Sequence, residues 1–260
     1  MPYALLPRAG QRGYSLVELS VAIVIATFLL AGLFSILQST KDTSSNQTAL
    51  AGLQDSERIA ATILTDVIQE AGYYPNASTV PIGSAFQAAG AFAQGQLING
   101  PINTVSTTYG DTIDVRYQGD GTNTVLDCTG STVVAGAAHD YHFWIEPVNN
   151  VPTLVCSKDG TPEVALVSPI NSMTILYGVD TAATTPNASG TVNNYLPAAS
   201  LSAVNWTNIY SVKIVLTFPN PLLTTAGGKP QPGQQLTPTI TFSRVISIMS
   251  KTGVNVSSFT

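Results

Sequence analysis

An acidic residue stands directly against the longest uncharged run of this chain. Glu18 is followed by the 22 residues from Leu19 to Thr40, none of which carries a charge. At about 1.5 Å per residue such a run spans roughly 30 Å as a helix, the thickness of a bilayer's hydrocarbon core. No Lys or Arg lies within three residues on its C-terminal side to pair with Glu18. A carboxylate at the edge of hydrocarbon is costly unless something neutralises it, and the neutralising group is expected from outside the chain.

The residues around this run carry a resemblance. A short basic leader with Arg8 and Arg12 ends in Gly13, aromatic Tyr14 follows, Glu18 is the fifth residue after Gly13, and the apolar segment is uninterrupted. Together these features resemble the class III signal of type IV pilins and pseudopilins. The resemblance implies that a prepilin peptidase cuts after Gly13 and methylates the new amine of Tyr14. It also implies that the Glu18 carboxylate pairs with the N-terminal amine of a neighbouring subunit in a filament. A buried carboxylate that meets its cation only on assembly disfavours the isolated subunit and favours the polymer. One departure is Ser35, where many major pilins have a helix-breaking Pro. It bears on helix melting during assembly rather than on processing.

Two plainer readings use the same residues. The run could be a signal anchor that only tethers a periplasmic domain; Arg8 and Arg12 before it, against Lys41 after it, put the N-terminus in the cytoplasm either way. A secretory signal peptide fits less well, because its apolar core is shorter and is followed, not preceded, by the cut.

Composition narrows the function classes. The chain has 15 acidic and 10 basic residues, a net charge of −5 and a pI near 4.8. Nucleic-acid binding, which rests on Lys and Arg against phosphates, is therefore not expected. Charged residues make up only 10% of the chain, with Thr, Ser, Asn, Ala and Gly filling the gaps, as suits a β-rich extracellular surface. Cys128 and Cys156 are the only cysteines. An oxidising periplasm favours a bridge between them; a metal or redox pair would need closer spacing or further ligands.

Beyond the apolar run, Leu50, Leu53, Ala60, Ile63, Leu64, Val67, Ile68 and Ala71 recur at three- and four-residue steps, the period of an amphipathic helix. Gly72 and Pro75 end it. One helix from about Tyr14 to Ala71, lipid-facing first and head-facing second, is expected. Residues 73–101 show no strand alternation and read as a loop-rich connection with room for a short helix. Ile113, Val115 and Tyr117 then alternate with Asp114, Arg116 and Gln118, which predicts a strand with one buried and one wet face. Further strands are expected at Tyr141–Ile145, Thr153–Ser157, Glu163–Val167, Ser172–Tyr177, Tyr210–Phe218 and Thr239–Met249. No second helical pattern separates them, so antiparallel meanders are predicted.

A second resemblance lies in this region. Ser172 to Asp180 with its Tyr177-Gly178-Val179-Asp180 ending, then Tyr195-Leu196, Trp206 and Ser211 to Ile214, are similar to the body of PilW-type minor pilins. The implied fold is α+β: a long N-terminal α-helix, membrane half plus amphipathic half, packed on an antiparallel β-rich, pilin-like head. The expected organisation is a leader at 1–13, a transmembrane or filament-core helix at 14–40, an amphipathic helix at 41–72, a connection at 73–110 and the head at 111–260. The implied function is that of a minor pilin, which helps to initiate or caps a type IV pilus used for adhesion and twitching motility. The implied partners are prepilin peptidase, other minor pilins, the major pilin and a tip adhesin. The precursor would sit in the inner membrane and the assembled subunit in the pilus at the cell surface. A minor pseudopilin of a type II secretion system, or a membrane-anchored binding module that never polymerises, would share much of this pattern.

Other chemistry finds little support. His139 and His142 fall on opposite faces of a strand and cannot converge on a metal without further ligands. Asp120, Asp127 and Asp180 lie near turns, but no run has the alternating oxygen ligands of a calcium loop. Neither a nucleophile elbow nor a phosphate-binding Gly loop occurs, so no enzyme, metal or cofactor is expected.

Overall fold

The computed structural model describes residues 13, 15–100, 108–120, 125–182, 191–224 and 237–252. The long helix is continuous: α1 runs over Leu16–Gln69, 54 residues, or about 80 Å. Its polar middle does not break it. The hydroxyls of Thr40, Thr43 and Thr48 donate to the carbonyls of Ile36, Ser39 and Ser44 at 2.9, 2.8 and 3.0 Å, so these side chains are satisfied within the helix. The helix stops where Gly72 takes a φ of 74° and its N–H donates to the Arg116 carbonyl at 2.8 Å. A β-carbon at Gly72 would lie 2.3 Å from a methyl of Leu97, so both conformation and space favour glycine here.

Only the second half of α1 meets the head. Ala60, Ala61, Leu64, Val67 and Ile68 are buried, all within the last turns of the helix. After it come α2 (Ile82–Ala85) and a two-residue strand, β1 (Ile98–Asn99). Four longer strands follow: β2 (Ile113–Gln118), β3 (Ala138–Val148), β4 (Val151–Lys158) and β5 (Val164–Val167). These five pair in the order β1-β2-β3-β4-β5, an antiparallel meander. A second antiparallel sheet has the order β7-β6-β8-β9, from β6 (Ser172–Val179), β7 (Asn194–Leu196), β8 (Ile209–Pro219) and β9 (Thr239–Ser247). Short helices α3 (Ala203–Thr207), α4 (Pro221–Thr224) and α5 (Met249–Thr252) join or end these strands.

The alternation read from the sequence sets the core. Ile113, Val115 and Tyr117 from β2, Tyr141, Phe143 and Ile145 from β3, and Val212, Ile214, Leu216 and Phe218 from β8 are all buried. They form one cluster with the α1 residues and with Tyr177, whose ring meets that of Trp206 edge-on at 5.1 Å. The two sheets are tied where Met173 of β6 accepts the Asp111 N–H at 2.7 Å and donates to the Tyr109 carbonyl at 3.0 Å. The Asp111 carboxylate also accepts the Ile175 N–H at 2.7 Å.

The wet face expected for β2 requires correction at one residue. Arg116 is only 5% exposed. The 73–100 stretch folds over it, placing Phe92 and Phe86 with ring centroids 4.8 and 5.9 Å from the guanidinium. Asp140 lies 2.8 Å away and the Gln87 carbonyl accepts a hydrogen bond at 3.0 Å. The low-charge stretch with no strand alternation is thus a lid on the sheet, with Phe86, Leu97 and Ile98 in the core.

Candidate functional site: the exposed half of the long helix

Residues 16–37 of α1 touch nothing in the head. Every large apolar side chain there, Leu16 to Leu37, keeps between 52% and 84% of its surface exposed, on all sides of the helix. Burying such a side chain yields about 1.5–3 kcal/mol, so this one segment exposes tens of kcal/mol of unrealised burial. A water-soluble monomer does not carry so large a patch, which calls for lipid or for protein helices around it. The segment's polar groups agree with that demand. Ser20 and Thr27 donate to the Val17 and Val24 carbonyls at 2.8 and 2.9 Å, so neither of these two hydroxyl protons is left to be solvated. The helix is the one described segment long and apolar enough to cross a membrane.

Glu18 lies in the first turn of α1. There the unpaired amides at the helix start favour a negative charge. Ser15 precedes the helix in an extended conformation, with its carbonyl accepting the Leu19 N–H at 3.1 Å and its hydroxyl making no cap. Among the described residues no cation pairs with Glu18. Gly13 is exposed, with open space around its α-carbon. Tyr14 and the leader with Arg8 and Arg12 lie outside the described residues. What the geometry presents is a rod of apolar surface, a single acid at its start, and a head at its other end.

The remaining candidates are structural. Cys128 and Cys156 form a disulfide with α-carbons 6.5 Å apart, both side chains buried, which fastens the 125–137 loop to β4. His139 faces Asp159 at 2.6 Å and His142 contacts Asp114, on separate partners as their offset requires. The Asp127 carboxylate accepts the Thr129 and Ser131 amides, each at 2.9 Å, and so shapes its own loop. Asp180 accepts from the Ala182 amide at 2.9 Å and from the Asn193 side chain at 3.1 Å. The described residues contain no group of three or more His, Cys, Asp or Glu arranged to hold a metal.

Comparison with known proteins adds to this geometry. Residues 142–246, from β3 to β9, match the family described as Type IV Pilus-assembly protein W, PilW. Residues 8–34 match the prokaryotic N-terminal methylation motif, which implies processing by prepilin peptidase. No curated protein matches the chain. Among solved structures, a type IV-like pilin from Thermus thermophilus aligns over 77% of this chain and 96% of its own, at 10% identity and a TM-score of 0.42. The methylation motif at the head of α1 and the PilW match across both sheets make the chain a PilW-like protein of type IV pilus assembly.

Proposed function

We propose that this protein is a minor pilin that helps to start a type IV pilus and sits at or near its tip. The observation that carries the reading is the exposed apolar half of α1 with Glu18 as the sole acid in its first turn. Cleavage after Gly13 would leave Tyr14 as a methylated N-terminus. Glu18 would then accept the terminal amine of a neighbouring subunit as both helices leave the bilayer for the filament. Before assembly the precursor is a single-pass inner-membrane protein with Arg8 and Arg12 in the cytoplasm; afterwards the head is on the pilus surface. The role is structural rather than catalytic, and the partners are other minor pilins, the major pilin and a tip adhesin. The similarity of residues 142–246 to PilW supports the initiation and tip part of this reading.

Removing one member of an ion pair in a low-dielectric site costs about 3–5 kcal/mol, a factor of at least ~100 in subunit association. Glu18→Ala should therefore still be trimmed and remain in the membrane, yet be missing from sheared filaments, with fewer filaments made. An alanine variant that enters filaments at the wild-type level would sink the proposal. Immunogold labelling of the head along intact pili tests the tip position, which requires label at the ends and none along the shaft.

A further inference from the structure

A cleft of about 340 Å³ lies where the last turns of α1 pass beside the disulfide loop and α5. Its apolar part comes from Ile63 and Val67 of α1 together with Leu126 and Met249, which are 47% and 59% exposed. Its polar rim is acidic: Asp66 and Glu70, one helical turn apart. Neither carboxylate has a cation or a hydrogen-bond donor against it among the described residues, although Glu70 is half-buried. Burial, then the nearby charges of Asp66 and Asp120, hold the Glu70 carboxyl above the usual carboxylate range. A half-buried acid beside two others is a standing cost that an incoming cation removes.

The cleft is also preformed. The Cys128–Cys156 bridge pins one wall to β4, and the Asp127 hydrogen bonds hold the loop's shape, so an occupant need not order it. Lys158, 4.0 Å from Asp127, serves that loop rather than the rim. A second copy of this chain is a poor occupant on the reading proposed above, in which a minor subunit at or near the tip has other subunits as its neighbours.

We infer that this cleft docks a segment of a different pilus subunit, one in which an aliphatic or aromatic side chain is flanked by Lys or Arg. The apolar residue would fill the space between Leu126 and Met249, and the cation would sit between Asp66 and Glu70. The inference rests on the pilus-assembly reading above, and it places a contact at the far end of α1, roughly 70 Å from Glu18 by helix rise.

The test uses the full-length chain in piliated cells, with a photo-crosslinking benzoyl-phenylalanine at position 126 and, separately, at position 33. Leu33 lies on the exposed apolar helix and reports assembly alone. Expected is a crosslink from position 126 to another subunit, with Lys or Arg within a few residues of the attached site. The double reversal Asp66→Lys, Glu70→Lys should lower its yield about tenfold or more while leaving trimming, the disulfide and the position-33 crosslink unchanged. Overturning results are a position-33 crosslink without one at 126, attachment to a second copy of this chain, or a yield indifferent to the reversal. Loss of both crosslinks would count against the assembly reading itself.

Discussion

Arg116 offers the most informative perturbation of the head. Arg116→Met keeps the aliphatic body between Phe86 and Phe92 but removes the charge. It forfeits a charge-assisted hydrogen bond to the Gln87 carbonyl, worth about 1.5–3 kcal/mol, and a cation–π contact worth about 0.5–2 kcal/mol. The Asp140 pair adds less than about 1 kcal/mol, since that carboxylate is 40% exposed and screened. Against these losses stands the relieved desolvation of a guanidinium only 6% exposed, which is several kcal/mol gross. The balance is about 2 kcal/mol of destabilisation, or roughly 4–8 °C in the melting of a domain this size. Asp140→Asn should cost less, under about 1 kcal/mol, because that carboxylate is partly exposed and its own burial offsets part of the attraction. The double variant should fall well short of the sum of the two. Burial raises the Asp140 carboxyl and Arg116 partly offsets that rise, so in Arg116→Met it moves further up. The deficit should therefore shrink as pH falls and Asp140 takes up its proton. The assay is thermal unfolding of the full chain in detergent, followed by near-ultraviolet circular dichroism of the head's aromatics. Additive single and double variants, or an Arg116→Met melt within 1 °C of wild type (about 0.3 kcal/mol), would refute the reasoning.

Two further outcomes are expected of the head. Replacing both Cys128 and Cys156 by Ser removes a cross-link with a sequence separation of 28, which should cost about 3.5 kcal/mol on the chain-entropy account; reduction of the wild type should give a similar drop in melting temperature. Burial pushes Lys251 down to about 8, well below an unfolded lysine near 10.4. Between these values the unfolded chain binds more protons, so stability should rise by about 1–3 kcal/mol from pH 8 towards 10. Above about 10 it should fall again, because burial holds the Tyr117, Tyr141 and Tyr177 hydroxyls protonated in the fold while the unfolded chain releases them. Lys251→Met should flatten the rise and leave the fall. A variant with the wild-type profile would contradict the assignment.

Periodicity made much of this fold legible. The 3.6-residue spacing of Leu64, Val67, Ile68 and Ala71, and the two-residue spacing in β2, β3 and β8, are local patterns, and each placed the correct side chains in the core. The division of the strands into two sheets was not legible, because register between distant strands depends on contacts such as Asp111 with Ile175 that have no local signature. Arg116 was misplaced for a related reason. Alternation says which face a side chain takes, but not that a distant Phe-containing stretch will cover that face. A cue existed in Phe86 and Phe92, large aromatics set among the Ala, Gly and Gln of an uncharged stretch. The acidic cleft escaped for the same cause: Asp66 and Glu70 read as an ordinary wet helix stripe until Leu126 and Met249 are seen beside them. Glu18, by contrast, stood out at once, since a single acid against an apolar run needs no tertiary structure to look anomalous.

Mass spectrometry of the N-terminus, on protein recovered from sheared surface filaments, bears most directly on the whole account. It should yield a peptide that begins at Tyr14 with a methylated amine and contains an unmodified Glu18. A terminus at Met1 with the basic leader intact, or the absence of this chain from the filament fraction, would contradict it.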